Sequence, residues 1–237
     1  MKWVKQVILQ TGLKLSRAFI APVVREQLMD VRTELLAHHY LSPLSRRFVP
    51  GTTASLRPSG GIAVLNDICM NRRRNIVECG GGISTLSIAR LLAERGGRLT
   101  TIEDDERWCE QLREQLAAEG LSETTRIVCA PLRPTRLSLA GDPWYDESIL
   151  HAQFTNNEPI DLLLVDGPTV GLVRYPAVPY FAGKLAKEHG IVVDDVPRGS
   201  GKFLPRWEEQ LGLKFRILGD FAIASTNPAL KVFVAPV

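Results

Sequence analysis

A glycine-rich turn stands where an apolar run gives way to a helical pattern, in the stretch ECGGGIST. Glycines let the backbone turn tightly and approach a ligand closely, and the N-terminus of a helix presents free N–H groups. The hydroxyl of Ser84 or Thr85 can cap that helix. The candidate ligand-binding residues of the turn are Glu78, Gly80, Gly81, Gly82, Ser84 and Thr85.

An acidic pair follows the next apolar run. Glu103 ends that run 23 residues after Gly80, and Asp104 comes directly after it. Nucleotide-binding α/β folds place at this position a carboxylate that holds ribose hydroxyls. The order of these features is a strand, the glycines, a helix, a second strand and an acidic residue. This order favours the binding of a nucleotide-type cofactor over a purely structural turn without a ligand.

The spacing of the residues in the glycine-rich turn indicates which type of nucleotide cofactor the turn could bind. A dinucleotide fingerprint needs a third small residue where Thr85 stands, and a phosphate-binding loop needs Gly-Lys-Ser/Thr after the strand, which is missing here. Glu78 instead precedes Gly80 by two residues. That arrangement resembles the (D/E)-x-G-x-G motif of class I S-adenosylmethionine-dependent methyltransferases, and the resemblance runs from about Ser59 to the C-terminus.

The resemblance implies roles for the turn and for the acidic pair. The backbone of Gly80–Gly82 would face the methionine part of S-adenosylmethionine, with Glu78 organising the site near the amino group of the cofactor. Glu103, followed by Asp104, would hold the ribose hydroxyls. Many relatives use an acidic residue after the third strand to meet the adenine amine. Here Ala130–Leu132 stands there, which leaves adenine without a named side chain.

Three carboxylates follow the fourth and fifth apolar runs. Asp166 closes LLLVDGP, and Asp194 and Asp195 close IVVDDV. The carboxyl ends of parallel strands meet at one edge of a sheet, so we expect these side chains to converge beside the reactive methyl group. Hard cations such as Mg²⁺ prefer such oxygen ligands. The pattern is similar to metal-dependent O-methyltransferases of the catechol and sugar types, in which a metal lowers the pKa of a substrate hydroxyl.

A simpler interpretation of the same carboxylates needs no metal. Asp166 would then face the substrate, and Asp195 would cap a turn before Pro197. The general base of the relatives is not carried over, because Thr169 stands at the lysine position of the catechol type and Pro168 at the aspartate position of the sugar type. We predict Asp166 and His151 as catalytic residues, with Tyr175 and Arg174 as further candidates for the base.

Two other functions remain open from the sequence. Tyr180-x-x-x-Lys184 matches the catalytic pair of short-chain NAD(P)-dependent oxidoreductases. That family places its glycine turn near the N-terminus and five strands before the pair, whereas four precede Tyr180 here. The second alternative is a non-catalytic, membrane-associated protein that retains the cofactor fold.

Regular alternation of apolar runs and helical patterns positions these residues. The expected strands are Asn75–Cys79, Leu99–Glu103, Arg126–Cys129, Ile160–Val165 and Gly190–Val193, and the expected helices are Ser84–Glu94, Asp104–Ala118, 173–188 and 201–210. The tail predicts two antiparallel strands, KFRILGDFAIAS and KVFVAPV, joined by a turn at Asn227-Pro228. The pattern predicts an α/β, doubly wound, mostly parallel sheet with helices on both faces. The resemblance implies seven strands, a Rossmann-like methyltransferase fold and an antiparallel C-terminal strand.

The chain divides by charge into a basic leader and an acidic body. Residues 1–75 hold 12 Lys/Arg against 4 Asp/Glu, and residues 76–237 hold 17 against 22. We predict a helical extension with a loop over residues 1–60 and the S-adenosylmethionine-binding domain over residues 61–237. The extension would contain two helical stretches that meet near Pro22.

The second stretch of the extension carries one apolar stripe, formed by Val24, Leu28, Val31 and Leu35. In the first stretch, apolar residues are interleaved with basic ones, namely Trp3, Ile8, Leu9, Leu13, Phe19 and Ile20 with Lys2, Lys5, Lys14 and Arg17. We expect these helices to pack on the body or on a second copy of the chain as a homodimer. Basic amphipathic helices also bind anionic membrane surfaces, and that alternative stays open. The loop over residues 41–61, with Arg57 and Ser59, and the irregular segment 131–158, with Trp144 and Tyr145, would form the lid and the acceptor pocket.

Composition and absent motifs narrow the compartment and the partners. The four cysteines form no CxxC pair, which predicts a reducing compartment without a disulfide framework. No uncharged run is long enough to span a bilayer. We therefore expect a cytoplasmic protein, with peripheral contact at the inner membrane face if the leader binds lipid. The (N/D)-P-P-aromatic motif of base methyltransferases is missing after strand four, so we expect a small-molecule or glycan acceptor and no nucleic acid.

Overall fold

The computed structural model describes residues 20–44, 55–154, 158–169 and 174–227. The strands are β1 (Asn75–Cys79), β2 (Arg98–Glu103), β3 (Thr125–Cys129), β4 (Leu132–Pro134), β5 (Pro143–Tyr145), β6 (Ile160–Val165), β7 (Leu185–Val193), β8 (Arg216–Leu218) and β9 (Phe221–Ser225). The helices are α1 (Ala21–Leu41), α2 (Pro58–Met70), α3 (Ile83–Arg95), α4 (Glu106–Ala118), α5 (Glu147–Phe154), α6 (Ala177–Phe181) and α7 (Leu204–Leu211).

Seven strands form one sheet in the order β3-β2-β1-β6-β7-β9-β8. All neighbours are parallel except at β9, which runs antiparallel to both β7 and β8. The register pairs Cys79 at the end of β1 with Ile102 of β2 and with Val165 of β6. The carboxyl ends of the neighbouring strands β2, β1 and β6 therefore lie side by side, and the predicted seven-stranded Rossmann-like fold is confirmed.

Apolar layers cover both faces of the sheet. Along β6, Leu163 and Val165 belong to one buried cluster, and Leu162 and Leu164 belong to another. Successive side chains of a strand point to opposite faces, so a strand buried on both sides is apolar throughout. This burial explains why IDLLLV shows no alternation of polar and apolar residues.

The segment 131–158 is ordered where the structure describes it, and the prediction of an irregular lid there is wrong. It contains the β4–β5 hairpin and α5. Trp144 and Tyr145 are 0% and 1% exposed and belong to the main core cluster. The ring of Trp144 lies 5.2 Å from that of Tyr180 and 6.4 Å from that of Phe181, between ring centroids. Packing between aromatic rings therefore holds the hairpin in the core.

The region after β6 also differs from the expectation. The helix expected over 173–188 is limited to α6 and one 3₁₀ turn, Ala182–Lys184, and β7 begins at Leu185. In the tail, β8 and β9 form a hairpin inside KFRILGDFAIAS, with Gly219 at φ +65° in its turn. Asn227 ends the last described range. The second predicted strand of the tail lies outside the described residues.

Helix α1 carries the predicted apolar stripe, but the described residues do not cover it. Leu28 and Leu35 are 64% and 66% exposed. The prediction that the stripe packs on the body is wrong for these residues, and contact with a second copy or a membrane stays a prediction. No described helix is both long and apolar enough to cross a membrane. The first of the two predicted helical stretches lies outside the described residues, apart from Ile20.

Helix α2 begins inside the predicted loop, with Pro58 in its first turn. Proline suits the first turn of a helix because the missing N–H would have no helical partner there. The predicted boundary between residues 60 and 61 falls within this helix. The division of the chain into extension and domain stays a prediction.

Candidate active site

A cleft of about 310 Å³ opens at the carboxyl ends of β1, β2 and β6. This volume lies within the range of small-ligand pockets, about 300–1,000 Å³. The predicted site residues that line it are Gly80, Gly81, Gly82, Ser84, Glu103, Asp104 and Asp166. The sheet thus brings the glycine turn, the acidic pair and one strand-end carboxylate to a single cleft.

Glu78 supports the glycine turn from inside the protein. Its carboxylate is fully buried and accepts hydrogen bonds from the hydroxyls of Ser84 (2.6 Å), Thr85 (2.6 Å) and Thr101 (2.7 Å). Thr85 Oγ1 in turn accepts the N–H of Gly82 at 2.9 Å. Burial raises the pKa of Glu78 to about 7, and the three hydroxyls oppose that rise. Glu78 therefore orders the turn, and its contact with a cofactor stays a prediction.

Two glycines bring the turns after β1 and β6 into direct backbone contact. Gly80 has φ +89°, and a Cβ there would lie 2.8 Å from the Cα of Gly167. A Cβ at Gly167 would lie 2.5 Å from the Cα of Gly80. A Cβ at Gly82 would meet nothing within 4 Å, so the start of α3 is open to a ligand. Gly167 was not among the predicted site residues, although the DGP after β6 was a signal for it.

Glu103 is fixed by three backbone N–H groups at the edge of the cleft. Its Oε2 accepts the N–H of Gly81 at 2.9 Å, and its Oε1 accepts those of Asp104 (2.9 Å) and Asp105 (3.0 Å). The side chain lines the cleft and is largely buried, which raises its pKa. Burial likewise raises the pKa of Asp104. These bonds hold the Glu103 carboxylate in one orientation at the position where the resemblance places the ribose.

Trp108 is a lining residue that the sequence analysis did not identify. It lies on the first turn of α4, where the Asp105 carboxylate caps the helix by accepting the Trp108 N–H at 3.0 Å. Its indole Nε1 donates to the Gly81 carbonyl at 2.7 Å, and the partly buried ring lines the cleft. A tryptophan one turn after an acidic strand end was the available signal.

The three strand-end carboxylates converge as expected. Asp166, Asp194 and Asp195 each place an oxygen within 4.8 Å of the others. Burial, then the charge of Asp194, raises the pKa of Asp166 well above its ordinary value. Burial, then Asp195, raises the pKa of Asp194. The three carboxyl groups are thus close enough for each to disfavour ionisation of its neighbour.

Arg174 lies among these carboxylates and is 0% exposed. Its Nη2 is 2.7 Å from Asp195 Oδ2 and 3.4 Å from Asp166 Oδ1. Magnesium needs deprotonated oxygens in nearly octahedral geometry. With a buried guanidinium in contact with two of the three carboxylates, the described cluster does not fit a divalent cation.

A comparison with known proteins identifies the family of this fold. Residues 77–196, just over half of the chain, match a family model described as a methyltransferase domain. The chain belongs to this methyltransferase family. The predicted resemblance to class I methyltransferases is thereby confirmed, and the oxidoreductase interpretation is wrong. No curated protein matches the sequence.

Solved structures share the fold of this methyltransferase. The O-methyltransferase from Bacillus cereus in complex with SAH has a TM-score of 0.54 and 19% identity, over 86% of this chain and 97% of its own. TomG, an O-methyltransferase of tomaymycin synthesis from Streptomyces achromogenes, in complex with SAM, has a TM-score of 0.53 and 19% identity, over 79% and 95%. Cofactor-bound Rv0187 from MTB has a TM-score of 0.53 and 22% identity, over 81% and 88%.

Several predicted residues of the methyltransferase lie away from the cleft. His151 lines a separate cavity with Ile160 and Leu185, the first residues of β6 and β7. Six residues of strand separate that end of β6 from Asp166, about 20 Å at ~3.3 Å per residue. This placement contradicts the predicted role of His151 as a base.

Two aromatic candidates are also placed elsewhere. The Tyr175 ring stacks on Trp207, with 6.1 Å between the centroids, and packs against the core. Lys184 Nζ lies 4.6 Å from the centroid of the Tyr180 ring. The Tyr-Lys spacing thus forms a cation–π pair, and neither residue lines the cleft.

Proposed function

We propose that the protein transfers the methyl group of S-adenosylmethionine to a hydroxyl oxygen of a small molecule or a glycan. The observation that carries this proposal is the single cleft that joins an open glycine turn, a fixed Glu103 carboxylate and Asp166. Family membership supplies the reaction class. The complexes of the Bacillus cereus enzyme with SAH and of TomG with SAM support the same cofactor here.

The donor end of the cleft is formed by β1, β2 and α4. The free N–H groups at the start of α3 and the Gly80–Gly82 backbone face the space where the methionine part would bind. Glu103, held by three N–H groups, would accept hydrogen bonds from the ribose hydroxyls. The indole face of Trp108 would stack on adenine, which gives the base a partner that the sequence analysis lacked.

Asp166 and the exposed Thr169 form the acceptor end of the cleft. S-adenosylmethionine, when bound, supplies an electrophilic methyl group on a positively charged sulfur. The protein contributes by position: Asp166 hydrogen bonds to the acceptor hydroxyl and aligns its oxygen with the methyl carbon. As the new O–C bond forms and the S–C bond breaks, the Asp166 carboxylate takes the hydroxyl proton, and S-adenosylhomocysteine departs as the leaving group. Such alignment supplies a large share of the rate enhancement in bimolecular reactions.

Cofactor choice is tested by thermal unfolding with S-adenosylmethionine, S-adenosylhomocysteine or NAD⁺. A ligand at 100 times its Kd stabilises the folded state by about 2.7 kcal/mol, so the first two should raise Tm and NAD⁺ should not. The variant Glu103→Gln should weaken the shift, and Glu110→Gln, an exposed acid on α4, is its control. A rise in Tm with NAD⁺ alone would sink the proposal.

The acceptor class is tested with isotope-labelled methyl donor and a panel of hydroxylated small molecules and oligosaccharides. We expect labelled methyl ethers as products. Asp166→Asn should lower turnover by about tenfold or more while the Tm shift with S-adenosylhomocysteine is retained, because Asp166 lies at the acceptor end. Labelled N-methyl or S-methyl products would contradict the assignment to hydroxyl oxygen.

A further inference from the structure

The guanidinium of Arg174 contacts, through all three of its nitrogens, the strand ends that form the acceptor end of the cleft. Beyond its two carboxylate contacts, Nε donates to the Pro168 carbonyl at 3.2 Å and Nη1 donates to the Asp194 carbonyl at 3.1 Å. These four partners belong to the turns after β6 and β7. A guanidinium keeps its positive charge throughout the pH range of proteins.

The carboxylates that Arg174 contacts are the oxygens that would hold a cation. Asp166, Asp194 and Asp195 form the group of potential metal ligands among the residues that the structure describes. Arg174 Nη2 contacts two of the three, and Arg198 makes a second, very short contact with Asp195. The buried guanidinium of Arg174 thus faces two of the three carboxylates from inside the cluster. A divalent ion bound to the three carboxylates would lie against this fixed positive charge, which opposes its binding.

We propose that Arg174 takes the place of a divalent cation in this methyltransferase. It neutralises the acidic cluster, ties the turn after β6 to the turn after β7, and holds Asp166 at the cleft. Arg174 is a positioning residue, because it acts on the acceptor through Asp166. The inference rests on the proposed function only for its catalytic consequence, which is methyl transfer that needs no metal.

Binding of Mn²⁺, a spectroscopic probe of Mg²⁺ sites, tests the proposal directly. Free Mn²⁺ is measured by electron paramagnetic resonance during titration of the wild-type protein, Arg174→Gln, Arg174→Met and the control Arg198→Met. The control removes a half-exposed cation and leaves the buried one in place. We expect no bound Mn²⁺ up to 1 mM, on the order of the weakest cation sites, for the wild type and the control. We expect about one bound ion per chain for the Arg174 variants, at least tenfold tighter.

Two results would overturn the proposal. One is a wild-type protein that binds one Mn²⁺ and loses it on Asp194→Asn. The other is a folded Arg174→Gln variant that binds none, since its carboxylates would then not form a cation site at all. If both neutral variants are unfolded in metal-free buffer, recovery of the native circular-dichroism spectrum on adding Mg²⁺ supports the proposal, and no recovery contradicts it.

A kinetic arm separates this inference from the proposed function. Turnover by the wild-type protein should change less than twofold between EDTA and Mg²⁺ buffers. The Mn²⁺ titration requires neither cofactor nor acceptor. A protein that fails to bind S-adenosylhomocysteine would contradict the proposed function and leave the Mn²⁺ result to decide the role of Arg174.

Discussion

Among the residues that the structure describes, three hydroxyl groups and no cation compensate the burial of the Glu78 carboxylate. A buried ion without a charged partner is costly, and its pKa moves toward the neutral form. Ser84, Thr85 and Thr101 reduce that cost by donating to the carboxylate, and the remaining rise takes the pKa to about 7. The proton on Glu78 is therefore linked to the order of the glycine turn.

This linkage predicts how stability depends on pH. The folded protein holds the Glu78 proton more tightly than the unfolded chain, whose carboxyl has a pKa near 4.5. The contribution of Glu78 to stability is thus fully present below about pH 4.5, falls by up to ~1.4 kcal/mol per pH unit, and levels off above about pH 7. In Glu78→Gln this part of the slope should vanish. Urea denaturation of both proteins from pH 4 to 8 measures it.

The control for this experiment is Glu110→Gln, which removes an exposed acid from α4. Its stability should follow that of the wild type across the range. If the free energy of unfolding had the same pH dependence in the wild type and in Glu78→Gln, the burial of Glu78 would not be the cause of that dependence.

We expect the Trp108 side chain to contribute a measurable part of the free energy of cofactor binding. Stacking of an aromatic side chain on a base contributes about 1–3 kcal/mol. We expect Trp108→Ala to weaken S-adenosylhomocysteine binding by about tenfold or more in calorimetry. Trp108→Phe keeps an aromatic face while losing the bond to the Gly81 carbonyl, and should retain most of the affinity. Equal affinities for Trp108→Ala and wild type would remove the stacking role.

At the residue scale, the sequence predicts the location of a side chain where that location depends only on the order of strands and turns along the chain. The turn Gly80–Gly82, Glu103 and Asp166 lie at the cleft because each ends or directly follows a parallel strand. Arg174 was named only as a candidate base, since its partners Asp166 and Asp195 lie 8 and 21 positions away. Its contacts depend on how two loops fold over each other, which spacing does not encode.

At the element scale, the contact between Gly80 and Gly167 leads us to expect that any larger residue at position 80 destabilises the protein. An L residue in the left-handed region costs roughly 1–2 kcal/mol, and a Cβ at Gly80 also meets backbone atoms at 2.8 Å. Gly120 has φ +70° and open space around its Cβ position. Gly80→Ala should therefore destabilise the protein by clearly more than the ~1 kcal/mol expected for Gly120→Ala, measured by urea denaturation.

Binding of S-adenosylhomocysteine completes this comparison. Gly80→Ala displaces the turn and should weaken binding, while Gly120→Ala should leave affinity unchanged. Similar stability losses in the two variants would show that the backbone contact is not rigid.

Helices were predicted where the residues of a segment are typical of a helix. They were missed where the residues of a helix are typical of a loop. The helices α3 and α4 follow strands, and their expected bounds are confirmed within two residues. Helix α2 was missed because its first residues, PSGG, have loop composition. Within this segment Gly60 lies against the side chain of Leu56, whose Cδ1 would be 2.9 Å from a Cβ at position 60.

At the scale of the whole molecule, polar contacts fasten α1 to the body. The Glu34 carboxylate accepts the N–H of Ser59 at 3.0 Å and its hydroxyl at 2.5 Å, at the start of α2. Arg57 bonds to Asp30 of α1 and to Asp220 in the β8–β9 turn. Part of the positive charge of the leader is thus neutralised by ion pairs within the chain.

The Glu34 contact predicts a stability loss that an ordinary surface acid does not cause. Glu34→Ala leaves the start of α2 without its acceptor and should cost about 1–3 kcal/mol. Glu26→Ala, an exposed acid on the same helix, should cost less than ~0.5 kcal/mol. Urea denaturation compares the two, and equal losses would show that α1 does not depend on this contact.

The contact between Gly80 and Gly167 also limits how the protein can be diversified. The two turns that meet there carry opposite ends of the cleft, so a side chain added to either one shifts the donor end relative to the acceptor end. A mutant library aimed at new acceptors should keep both glycines invariant and vary Ser55 and Thr169, which line the same cleft without this packing. Changes in acceptor specificity are then reached without disturbing the distance over which the methyl group moves.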